Sequence, residues 1–297
     1  MASGHELSSK AALDVLKGGG NAVDAAVAAL LVSAVAEPSL TSLGGGGFAT
    51  VKFGDDIRVA DFFSNIPSSK PSPEDMDNIL VDFGGTVQSY LVGENSLAVP
   101  GSVPGIFSLL EKYGSKDFSE LAAPAVRYAE KGVRVNRMQA MIFNILSPVF
   151  SKTEEVRRVY YPNGHAPLEG EKIYNHKYAL FLKRLAEEGL PAYLDEMRQF
   201  TDNFSTSLSP GDISGYSVGY REPLETWFGD YKVHSPPPNS MGGARLSVML
   251  RMFGFSGAEK FSHGSAEYIS ALARLMAGAE GTCGSKLINA FYEGGWQ

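Results

Sequence analysis

The 297-residue sequence holds one cysteine, Cys283. A single thiol excludes an internal disulfide framework and is compatible with a reducing compartment. Its setting, "EGTCGSKL", places no histidine beside it, so it reads as an incidental thiol. Basic runs are also missing. With 26 Lys and Arg against 33 Asp and Glu, the formal charge is −7, which argues against a nucleic-acid or anionic-membrane partner. Long apolar runs are scarce. The most apolar stretch, "AVDAAVAALLVSAVA", covers residues 22–36 and falls short of the ~20 residues of a spanning helix. It reads instead as a helix buried on all sides. The N-terminus "MASGHELSSKAALDVLKGGG" carries no apolar core of signal-peptide length, so the chain as written is expected to be cytoplasmic.

Chemistry-bearing motifs are equally thin. The histidines His5, His165, His176, His234 and His263 stand apart, none at ligand spacing from another His or a Cys. No metal and no cofactor are expected. The G-x-S-x-G form of a nucleophile elbow is absent, and Ser240 in "HSPPPNSMGG" reads as a helix cap.

What the sequence does have is glycine, with 33 residues, and a helix-rich pattern. A first helix is expected from Ser8 or Ser9 to Gly18-Gly19-Gly20, and a second, capped by Asn21, to a stop before Pro38. "FATVKF" and "DIRVADF" around "GDD" predict a hairpin, and "PLETWFGDYKVH" a second one turning at Gly229-Asp230. Residues 67–97 read as loop, broken by Pro71, Pro73 and Gly84-Gly85. Helix is expected from "VPGSVPGIFSLLEKYG" onward, from Phe118 to about Leu146, across "YNHKYALFLKRLAEEG", after Asn239 or Ser240, and from about Ser265 to Met276, with mixed structure up to Ser209. Two hairpins among so many helices are too few strands for a self-sufficient sheet.

The run Gly44-Gly45-Gly46-Gly47 invites a phosphate-loop reading, which element order excludes. Phosphate loops follow a strand and open a helix; here a helix and loop come before and a strand comes after. Close backbone packing, or a wall beside a ligand, accounts better for four missing side chains.

Three long stretches, in order, resemble the γ-glutamyltranspeptidase family. They are "KGGGNAVDAAVAALLVSAVAEPSLTSLGGGGF", "LAVPGSVPGIFSLLEKYG" and "LSPGDISGYSVGYREPLETWFGDYKVHSPPPNSMGG". The resemblance spans roughly Gly4 to Gln297 and implies an α+β fold, the four-layer αββα sandwich of N-terminal-nucleophile hydrolases. Residues 1–297 would then be the large subunit. It would be completed by a small subunit cut from the same precursor and beginning with threonine. By that resemblance no catalytic residue lies in this chain, Gln297 is the cleavage-site residue, and the threonine is expected directly after it. The implied activity is amide hydrolysis or acyl transfer on a small-molecule amide or γ-glutamyl-like substrate. Pairing of two such heterodimers stays open, as do a genuine glutathione hydrolase and a non-catalytic scaffold.

One departure from the family pattern carries the sharpest expectation. Family members typically leave the first hairpin as Asp-Phe-Arg-Glu-x-x-Pro or similar, the arginine binding the substrate's α-carboxylate. This chain reads "DFFSNIP", with Phe63 in the arginine's place and Ser64 in the glutamate's. A phenyl ring cannot replace a bidentate guanidinium contact. Arg58 lies five residues earlier, on the other face of the strand by alternation. The expected site wall is Gly44, Gly45, Gly46, Gly47, Phe63, Ser64 and Asn65, with Pro236 to Gly243 as a supporting loop.

Overall fold

Two helices open the chain, α1 (Glu6–Lys17) and α2 (Ala22–Ala36). They are followed by strands β1 (Gly47–Phe53), β2 (Asp56–Phe62), β3 (Asp77–Asp82) and β4 (Val87–Val92). Helices α3 (Ser102–Tyr113) and α4 (Phe118–Lys131) lead to the short β5 (Val133–Arg134). Then come α5 (Arg137–Ile145), α6 (Ser147–Phe150), α7 (Glu154–Tyr160) and the short β6 (Lys172–Ile173). Next are α8 (His176–Glu188), α9 (Leu190–Asn203) and α10 (Pro210–Ser214). The last elements are β7 (Gly219–Arg221), β8 (Leu224–Phe228), β9 (Tyr231–Ser235), α11 (Met241–Ser256) and α12 (Ala266–Thr282). The computed structural model describes residues 1–282; Cys283 and Gln297 lie outside them. It divides into two units, one of Met1–Gly47 with Ser64–Val218, the other of Phe48–Phe63 with the stretch from Gly219 onward.

The first unit is built around α2. Asn21 caps it as expected: its Oδ1 accepts the N–H groups of Val23 at 2.8 Å and Asp24 at 3.1 Å, while Asp24 accepts the Asn21 N–H at 2.8 Å. This reciprocal capping box fixes where the helix begins. Leu31, Val32 and Ala28 are fully buried, and α1, α3 and α4 pack around them. An all-apolar helix needs such enclosure, since it has no face to offer water. Leu121 and Ala125 of α4 and Leu182 and Leu185 of α8 continue the same core. The Tyr178 hydroxyl donates to the Leu31 carbonyl at 3.1 Å, which lets a tyrosine sit at that contact without an orphaned polar tip.

Three expectations are corrected here. The α1 cap is His5, not Ser8 or Ser9, because its Nδ1 accepts the Leu7 N–H at 3.1 Å one turn earlier. Residues 67–97 contain a hairpin, not only loop: β3 and β4 pair antiparallel with Val81 opposite Gln88. Its turn works because Gly84 and Gly85 take positive φ and Asp82 accepts both their N–H groups at 2.9 Å. The helix expected over 118–146 is two helices. Gly132, at φ +79°, ends α4, and β5 pairs with β6 before α5 starts. The mixed stretch before Ser209 contains a full helix, α9, which starts at Leu190 with Pro191 in its first turn, after Gly189 closes α8.

In the second unit β2 is central, in the order β1-β2-β7. Strand β7 runs antiparallel to β2, placing Arg221 opposite Val59 and Gly219 opposite Asp61. The predicted hairpin at Gly229 is present, with Leu224 opposite Ser235. Helix α11 packs on β8 and β9 and against α12, and Ser240 caps it as expected by accepting the Gly243 N–H at 3.2 Å. Among the described residues the strands form one three-stranded and three two-stranded sheets. No described helix is long and apolar enough to cross a membrane.

Candidate functional site

The expected wall residues fall into two sets. In the second unit, β2 buries Val59, Ala60 and Phe62, and the chain then leaves the sheet at Phe63. Phe63 is 49% exposed. Its ring stacks on that of Phe48 with centroids 5.3 Å apart and planes 15° from parallel. An offset pair of this kind contributes about 1 kcal/mol beyond its buried area. Phe63 is thereby held as a flat apolar surface.

Two residues before it lies Asp61, a carboxylate only 8% exposed. Its Oδ2 accepts the Arg221 Nε–H at 2.8 Å and the Asn239 Nδ2–H at 3.2 Å, and its Oδ1 accepts the Phe63 N–H at 3.2 Å. This node was not among the expected site residues. A signal was present: an aspartate between strand residues in "VADFF" must be buried with partners or not at all. The supporting loop predicted at Pro236 to Gly243 enters through Asn239. Arg58, the other arginine of this sheet, pairs with Asp56 at 3.1 Å and also with Glu222.

In the first unit, none of Gly44 to Gly47 takes a positive φ. The Gly45 carbonyl accepts two backbone N–H groups, from Gly101 at 2.9 Å and Ser102 at 3.0 Å. Asn65 pairs with Val99 through both backbone bonds, Asn65 N–H donating at 3.2 Å and Val99 N–H at 2.8 Å. One segment, Val99 to Ser102, thus ties the glycine run to Asn65. Ser64 is half-buried between them in sequence.

Close packing as the reason for the glycines is not what the structure has at Gly44 and Gly45. A Cβ on Gly44 would meet only Ser42 Oγ, at 3.6 Å, and one on Gly45 the Ser42 carbonyl at 3.5 Å, both ordinary contacts. Gly44 also borders a cavity of about 570 Å³ lined by Leu97, Pro100, Met197, Phe200 and Leu208. Gly243 differs: a Cβ there would collide with the Pro236 carbonyl oxygen. Among the described residues no three His, Cys, Asp or Glu side chains are grouped to hold a metal ion.

The γ-glutamyltranspeptidase family model matches residues 8–287. The chain belongs to the γ-glutamyltranspeptidase family. It is 28% identical over 285 residues to the glutathione hydrolase proenzyme of Bacillus subtilis (strain 168), covering 93% of this chain and 48% of that protein. It is 29% identical over 283 residues to the acylase ACY 1 proenzyme of Pseudomonas sp. (strain V22), covering 92% and 50%. The chain therefore spans about half the length of these curated relatives. The solved γ-glutamyltranspeptidase of Helicobacter pylori superposes with a TM-score of 0.80 at 27% identity, covering 94% of this chain and 81% of that one. The fold is that of the family's N-terminal-nucleophile hydrolases, α+β as expected.

Proposed function

We propose that this γ-glutamyltranspeptidase family chain is the larger part of an amidohydrolase or acyltransferase whose acyl donor is not a standard γ-glutamyl compound. The nucleophile is a threonine on the smaller part of the same precursor, expected after Gln297. Its own α-amine, with an ordinary pKa of about 7.7 to 8.0, takes the hydroxyl proton. The hydroxyl oxygen attacks the amide carbonyl, backbone amides hold the oxyanion, and the amine leaves with a proton to give an acyl-threonine ester. Water or a second amine then accepts the acyl group. The proenzyme names of both relatives, and a match to about half of each, support the two-part reading.

The observation that carries the donor reading is the Phe63 ring, half exposed and stacked on Phe48. The two arginines of the same sheet already face carboxylates, Arg58 those of Asp56 and Glu222 and Arg221 that of Asp61. An apolar, ring-bearing acyl group matches such a surface better than a zwitterionic glutamyl group, whose charges would lose water without gaining a partner. The room beside Gly44 and Gly45 fits a wall that faces a ligand.

The test is hydrolysis of γ-glutamyl and phenylacetyl anilides by the full-length, processed protein. Phenylacetyl turnover is expected to dominate, to fall in Phe63→Ala, and to give way to γ-glutamyl turnover in Phe63→Arg. Efficient γ-glutamyl hydrolysis that Phe63→Ala leaves unchanged would overturn the donor reading. An unprocessed, inactive precursor would overturn the enzyme reading itself.

A further inference from the structure

The node at Asp61 has more built into it than stability requires. Its carboxylate is nine-tenths buried and receives three donors from three segments: its own strand exit at Phe63, strand β7 at Arg221, and the proline loop at Asn239. Burying a carboxylate against a guanidinium returns little net stability, because desolvation offsets much of the attraction. An apolar pair of the same volume would hold the sheet as well. What the ion pair adds is direction, since each hydrogen bond fixes an angle as well as a distance.

The backbone points the same way. Asn239 has φ +95°, on the side of conformational space that side chains avoid, at a cost of about 1 kcal/mol or more. Three prolines, Pro236 to Pro238, stiffen the loop that delivers it. Glycine would take this φ without strain, yet would lose the Nδ2–H that reaches Asp61. Across the sheet, Gly219 lies directly opposite Asp61, and Arg221, two residues on, reaches the carboxylate diagonally.

We infer that Asp61 is a positioning residue for the Phe63 surface, acting through Arg221 and Asn239 to fix where the chain leaves β2. It touches no reacting atom; it sets the angle at which the Phe48–Phe63 pair meets a donor. The inference rests on the donor reading for its consequence in catalysis and on the hydrogen bonds alone for its structural part.

Asn239→Gly separates positioning from folding, because it removes a donor while relieving strain. Its melting temperature in the full-length, processed protein is expected to stay close to that of the parent, the relieved strain offsetting much of the lost hydrogen bond. KM for phenylacetyl anilide is expected to rise about tenfold, the size of one lost hydrogen bond to a charged group, with kcat nearly unchanged. Arg221→Gln is expected to raise KM likewise, but with a lower melting temperature because the buried carboxylate loses its cation, and Arg221→Lys to rescue both in part. A second readout needs no turnover: thiol labelling of Phe63→Cys in a Cys283→Ser background, expected to speed up severalfold when Asn239→Gly is added. Unchanged labelling overturns the inference, as does changed labelling with unchanged KM in an enzyme that turns over phenylacetyl anilide. If the parent protein ignores that donor, the donor reading falls and labelling alone judges the positioning.

Discussion

The Ser115 hydroxyl donates to the carboxylate of Asp24 at 2.5 Å, across the gap between the start of α2 and the α3–α4 connection. Asp24 is fully buried and also accepts the N–H groups of Ser115 at 2.9 Å, Lys116 at 3.2 Å and Asn21 at 2.8 Å. Burial alone would push this carboxyl up; the Ser115 hydroxyl and the three backbone donors outweigh it and hold the group below the ordinary aspartate range. One residue therefore caps a core helix and ties down a distant turn.

Asp24→Asn is expected to destabilise the chain by about 2 kcal/mol or more, since an amide nitrogen would face N–H donors in a buried site. Urea unfolding at neutral pH measures this. Because the folded-state pKa is lowered, the carboxylate's contribution is complete above the unfolded value of about 3.9 and is lost as pH falls through the lower folded value. The two proteins should converge in acid.

A second carboxylate gives a clearer pH window. Asp212 accepts the Ser209 hydroxyl at 2.7 Å and the N–H groups of Ser209 and Ser68, each at 3.0 Å. The Ser209 bonds lead in bringing its pKa down to about 2. The group thus stabilises the fold above about pH 4 and ceases to between about pH 4 and pH 2. Asp212→Asn should melt below the parent at pH 7 and match it near pH 2; a constant gap would contradict this.

Gly242 and Gly243 adjoin in α11 and should respond in opposite directions. At Gly243 the Pro236 carbonyl forbids a Cβ, so Gly243→Ala is expected to displace the proline loop and cost several kcal/mol, roughly the scale of overpacking. Gly242 has nothing within 4 Å of a Cβ, and Gly242→Ala should be neutral or stabilising by up to about 1 kcal/mol. Paired thermal melts distinguish them.

Gly44→Ala should fold nearly as well as the parent, within about 1 kcal/mol, because a Cβ meets only ordinary contacts. If Gly44 is a wall facing a ligand, anilide hydrolysis should nevertheless fall about tenfold, on the scale of a misplaced substrate. Equal melting with equal turnover would remove Gly44 from the site.

Much of the fold was legible because its signals are local. The Asn21 cap, the Gly229 turn and the apolar run of α2 each state their conformation within a few residues. The β3–β4 hairpin reads as loop: its turn residues Asp82 and Gly84-Gly85 are there, but the prolines before it mask an alternation in "ILVDFGGTVQSYLV". His5 as a cap was not legible, since a ring nitrogen accepts only in one tautomer and orientation. In the candidate site, Phe63 stood out against the family pattern. Arg221 and Asn239 did not, because they reach Asp61 across 160 and 178 residues of sequence.

The doubly bonded Gly45 carbonyl has a consequence for motion. Four glycines in a row suggest a hinge, yet both acceptor directions of this oxygen are taken, by Gly101 and Ser102. Since a trans peptide unit is planar, fixing that carbonyl also fixes the Gly46 N–H, aimed the opposite way. The run is a pinned plate, and its opening would be registered elsewhere. The amides of Gly101 and Ser102 should exchange slowly with deuterium, and they would lose that protection together whenever the glycines let go.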